Sequence, residues 1–131
     1  MTDHIHWDIP SIEAKMRADL ATIKAMGDQA VKDGSDPQFI AAQREFDEAR
    51  LQYALACMKA ENRGIGRNEL LSGAGYTLGT IWASMLSSCV GARERAVFNG
   101  WVQHGLMQGI GVSAAKKTME SVFKPQEAGH A

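Results

Sequence analysis

The residues of this chain that could do chemistry are four histidines, two cysteines and a set of helix-borne carboxylates. Their spacing assembles no recognisable centre. His4 and His6 share a terminal arm with Asp3 and Asp8, where adventitious metal binding is conceivable, but a structural metal site needs more ligands in fixed geometry. His104 has no carboxylate three or four residues away that would orient it as a general base. His130 lies one residue from the end. Cys57 and Cys89 lack metal-type spacing and sit among apolar neighbours, which reads as two reduced, buried thiols. A Cys89–His104 nucleophile would have to be assembled by the fold, since sequence spacing gives it no support. Glu45, Asp47, Glu48, Glu61 and Glu69 form no Glu-x-x-His arrangement, so a di-iron bundle is not expected. Gly64-x-Gly66 and Gly73-x-Gly75 follow no strand, so neither is a dinucleotide fingerprint. The expectation is a non-enzymatic chain with no catalytic residues, no cofactor and no metal.

The elements that carry these residues read as helices throughout, with little period-two alternation and few β-branched clusters. Asp8 caps a first helix with Pro10 in its opening turn, and Ile9, Ile12, Met16, Leu20, Ile23, Met26 and Ala30 form one apolar stripe. Asp33-Gly34-Ser35-Asp36-Pro37 is a stop and a restart: Gly34 ends one helix, Asp36 caps the next and Pro37 takes its first position. The second helix runs from Pro37 to about Asn62. Phe39, Phe46 and Tyr53 recur every seven residues and are followed by Ala60, with Ala42, Ala49 and Ala56 between them. This large-small seam suits close antiparallel packing against the first helix, while Leu51, Leu55 and Met58 form a separate apolar patch. Within this helix, Arg44/Glu48 and Asp47/Arg50 are spaced to pair along its surface.

Arg63-Gly64-Ile65-Gly66-Arg67 breaks the pattern, and a third helix begins near Asn68 or Ser72. Gly91–Arg95 is either a turn or part of one long helix. Ala96–Gly109 follows, then a break at Gly109-Ile-Gly111 and a short Ser113-capped helix ending at Phe123. The fold expected is all-α, about five helices in one domain over residues 1–131: a charged antiparallel hairpin over 8–62, packed with an uncharged small-residue core over 68–123, with loose termini at 1–7 and 124–131.

Charge is distributed unevenly. Residues 1–69 hold twelve acids and nine bases, whereas Leu70–Ala92 holds none in 23 residues. Inside that stretch Gly75, Gly79, Ala83, Ser87 and Gly91 recur at a four-residue step. On a helix this is a shallow ridge of nearly bare backbone that a second helix can approach closely. Each helical glycine costs about 1 kcal/mol, so close approach has to offset the loss. The ridge, with Trp82 or Trp101 as aromatic anchors, is the candidate interface. The chain is expected to associate as a homo-oligomer, or as a subunit or regulator of a larger assembly.

Two alternatives use the same half. Leu70–Ala92 and Ala96–Ala115 have the length of a membrane hairpin turned at Arg93–Arg95. Ser72, Thr77, Thr80, Ser84, Ser87 and Ser88 in the first stretch, and Asn99, Gln103, His104 and Gln108 in the second, lower its hydropathy. Residues 102–123 match a helix-turn-helix in part. Gly111-Val112-Ser113 suits the turn, and Lys116, Lys117 and Thr118 open a recognition helix. Met107, Lys117 and Glu120 occupy positions that such a motif keeps small or apolar. The net charge of −1 gives no footprint for a polyanion, so nucleic acid is not an expected partner. The opening residues carry no secretory signal, and a cytoplasmic location, with membrane association as the alternative, is the expectation.

Overall fold

A computed structural model describes residues 6–110. These form four helices and no strand: α1, Ile9–Lys32; α2, Pro37–Asn62; α3, Arg67–Ser88; and α4, Gly91–Ile110. The chain divides into two compact units with the boundary between Thr77 and Leu78, inside α3. The fifth helix expected over 113–123 lies outside the described residues.

Local chemistry sets the helix ends. The Asp8 carboxylate accepts from the Ser11 N–H at 3.3 Å, and Pro10 occupies the first turn of α1. At the other end Gly34 adopts φ 107°, a left-handed conformation that costs glycine little. This turns the chain so that Ser35 N–H reaches the Ala30 carbonyl at 2.9 Å and Gly34 N–H reaches Val31 at 3.1 Å. Asp36 then caps α2 by accepting from Gln38 N–H at 3.0 Å, ahead of Pro37. The same device ends α2: Gly64 has φ 86°, and Ile65 N–H donates to Ala60 at 3.3 Å.

In the first unit α1 and α2 run antiparallel, as their cross-links show. Arg17 spans both carboxylate oxygens of Glu48 at 3.1 and 3.2 Å. Arg44 reaches the Asp28 carboxylate and the Lys24 carbonyl. Gly27 marks the close approach, since a methyl built there would meet Ile40 Cγ2 at 3.0 Å. Among the described residues the buried apolar side chains are Leu51, Leu55 and Leu70. Leu70 belongs to the first turns of α3, which meet α2 where the Tyr53 hydroxyl donates to the Ala74 carbonyl at 2.6 Å.

The seam expected to face α1 does not do so. Phe39 and Phe46 are 63% and 64% exposed, while Ile40, Arg44, Glu48 and Leu51 stand on the α1 side or in the core. At 100° per residue the Phe/Ala row lies roughly on the opposite side of α2 from Arg44 and Glu48.

In the second unit, the rest of α3 gives way to α4 across Cys89 and Val90. Here Cys89 N–H donates to Leu86, and the Glu94 carboxylate accepts from Val90 N–H at 2.9 Å. Arg93–Arg95 are therefore in the opening turns of α4, in neither a turn nor a continuous α3. The helix then runs through Gly109 to Ile110. Trp82 Nε1 donates to Asn99 Oδ1 at 2.9 Å.

Candidate association surface

The five ridge residues are all exposed. A methyl built at Gly75, Gly79 or Gly91 would meet no atom within 4 Å. Beside the ridge, Leu71, Leu78 and Met85 repeat at a seven-residue step with Ile81 between them, and Tyr76 projects from the ridge side. These five large side chains are between 47% and 76% exposed. Of the two candidate anchors, Trp82 is half-buried and bonded to Asn99. Trp101 is exposed and meets the His104 ring edge-on, with centroids 5.4 Å apart and planes at 87°.

Four of the six serine and threonine hydroxyls of α3 are occupied by the helix itself. Ser72 Oγ donates to Asn68, Thr77 Oγ1 to Gly73, Ser87 Oγ to Ala83 and Ser88 Oγ to Met85, at 2.7 to 2.9 Å. A hydroxyl already bonded to its own backbone can be covered without stranding a donor, which is the main penalty for burying it. Ser and Thr in this stretch are thus compatible with contact against another apolar surface.

The charged side chains serve the hairpin. Of the two pairs expected along α2, Asp47–Arg50 forms at 3.5 Å. Arg44 and Glu48 instead reach across to α1, to Asp28 and Arg17. The hydrogen bond from Arg17, followed by that from Gln52, holds the Glu48 carboxyl below its ordinary range, and the Arg44 hydrogen bond does the same to Asp28. Arg17 is raised in turn, chiefly by Glu48. Burial and then the neighbouring Cys57 push the Tyr53 hydroxyl up.

Trp7, read from sequence as part of a loose arm, is fixed. Its N–H donates to Asn62 Oδ1 at 2.7 Å, its carbonyl accepts from Asn62 Nδ2 at 2.8 Å, and its indole N–H reaches Glu61 Oε2 at 3.2 Å. Nothing in the local spacing marks this clasp. The only hint was an isolated Trp just ahead of the Asp8 cap, which a hydrophobic staple at a helix start would also explain.

As for chemistry, no group of three or more His, Cys, Asp or Glu among the described residues could hold a metal ion. Both cysteines are free and half-buried, and the Cys89 thiol donates to the Met85 carbonyl at 3.4 Å. No described helix is long and apolar enough to cross a membrane. The recognition helix of the helix-turn-helix reading, from Ala114 onward, lies outside the described residues. Set against known proteins, the chain matches no protein-family model, no curated protein and no solved structure.

Proposed function

We propose that this chain acts by protein–protein association and not by catalysis, as a homo-oligomer or as a subunit or regulator of a larger assembly. The surface that serves it is α3 with the adjoining start of α4: Gly75, Gly79, Ala83, Ser87 and Gly91, with Trp82 or Trp101 as the aromatic anchor. The observation that carries this reading is the combination found on α3. Five large side chains are exposed along Leu71–Met85, a stretch of α3 without charge, and four of the helix's six serine and threonine hydroxyls are spent on its own carbonyls. Isolated exposed apolar residues are ordinary, but a contiguous set on one helix marks a contact surface.

The test is absolute mass by light scattering after size exclusion, without detergent. A defined oligomer is expected, and Ala83→Leu, which places an isobutyl group on the ridge, is expected to lower that mass. A variant that keeps the parent's mass and melting behaviour removes the ridge from the interface. The alternative, a membrane-active hairpin over residues 70–115, predicts that the protein floats with liposomes. Full recovery in the soluble fraction removes it.

A further inference from the structure

The Phe/Ala row of α2 has an internal logic of its own. Phe39, Ala42, Phe46 and Ala49 alternate large and small at steps of three and four, the spacing of a helix-pairing seam. α1 lies against another side of α2, through Ile40, Arg44 and Glu48. The first turns of α3 meet α2 at Tyr53, seven residues past Phe46 in the same row. Among the described residues of the first unit nothing covers Phe39 and Phe46, and both phenylalanines are almost two-thirds exposed.

We propose that this segment of α2 pairs antiparallel with the same segment of a second copy of the chain. In one register every layer sets a large side chain on a small one. Phe39 of one copy faces Ala49 of the other, Ala42 faces Phe46, and the two-fold axis repeats both contacts. A partner of unrelated sequence has no reason to match this alternation, whereas the segment's own reverse matches it at all four layers.

The flanking positions follow from the same register. In an antiparallel pair, the residues beside the seam meet their counterparts across the axis. Arg50 of each copy then falls beside Asp36 of the other, giving two opposite-charge contacts. Arg50 can turn toward it, since its side chain is largely exposed and its ion pair with Asp47 is long, at 3.5 Å. The two Glu45 side chains fall next to each other at the axis and oppose the pairing. Two phenylalanines, two alanines and their flanks remove on the order of 500 Å² per copy, against about 800 Å² per partner in a standard stable interface. The dimer is therefore weak and concentration-dependent.

Sedimentation velocity of the full chain across about three decades of concentration around the micromolar range tests this. Phe46→Asp is expected to raise the dimer dissociation constant at least about tenfold and to leave far-UV helicity unchanged. Glu45→Gln, which removes the repulsion at the axis, is expected to tighten the dimer severalfold. A Phe46→Asp protein that stays helical and dimerises like the parent overturns the proposal. Should that variant lose helicity, Arg50→Glu decides: unchanged affinity overturns the contact, and weakened affinity supports it. The α3 reading is tested separately by Ala83→Leu. If that substitution lowers the mass and Phe46→Asp does not, this contact falls while association through α3 stands. A parent chain that remains monomeric throughout overturns this contact together with the homo-oligomeric form of the α3 reading.

Discussion

Asn62 is the last residue of α2 and uses both ends of its amide on Trp7, accepting from its N–H and donating to its carbonyl. Glu61, one residue earlier, takes the indole N–H and is also approached by Arg67 at 3.4 Å. Asn62→Ala removes two partly buried hydrogen bonds and leaves a backbone N–H and a carbonyl of Trp7 without those partners. The expected loss is about 1–2 kcal/mol, read as a lower melting temperature in far-UV circular dichroism with the native helix content kept. At this scale the sequence was only partly legible. It placed Asp8, Asp36 and Pro37 correctly, because a cap acts on amides two or three residues away. It misassigned Arg44 and Glu48, because two charges four residues apart look like a surface pair until the facing helix supplies Asp28 and Arg17. The clasp was invisible for the same reason, its partners being 55 residues apart.

At the scale of elements, α1 and α2 could be read almost to the residue from Asp-Gly-Ser-Asp-Pro and Arg-Gly-Ile-Gly-Arg. Both loops carry the left-turning glycine and the punctuation that end one helix and start another. The break between α3 and α4 lies just ahead of the Gly91–Arg95 stretch. It falls at Cys89–Val90, where Glu94 caps from inside the following helix. The heptad seam of α2 was legible as a seam, but its direction was not, because periodicity fixes which residues share a face and says nothing of what that face meets. The ridge of α3 yields a prediction of this kind. Methyls at Gly75 and Gly79 enter open space, and each Gly→Ala change relieves up to about 1 kcal/mol of helix cost. The double variant is expected to melt higher than the parent in dilute solution and to associate less well when concentrated. A lower melting temperature in the dilute sample would mean that the ridge is already closely packed within the chain.

For the whole molecule, the described residues concentrate their burial in one place: Leu51 and Leu55 on α2, and Leu70 at the start of α3. Local stability follows buried apolar contact. Amide exchange in dilute solution is therefore expected to be slowest around Leu51–Leu55 and fast along α4, with protection of α4 rising as concentration rises if that helix takes part in association. Protection of α4 equal to that of α2 in dilute solution would count against this picture. The all-helical class was legible because the segments between residues 8 and 110 are punctuated for helices. The size of the core was beyond the reach of the sequence, since apolar residues destined for the interior and for a contact surface are chemically alike.

The Trp7–Asn62 clasp also has a topological meaning. With the Asp33–Asp36 turn at the opposite end, it makes the α1–α2 hairpin a closed ring fastened at both ends. In a ring neither helix has a free tip from which to peel, so the unit opens by unbuckling at one of two points. The entropy of closing such a ring grows only with the logarithm of its contour, about 0.6 kcal/mol for each doubling of length. Matched insertions of whole turns into both helices should therefore be tolerated, leaving the buckle and the bend to set the ends while the span between them varies.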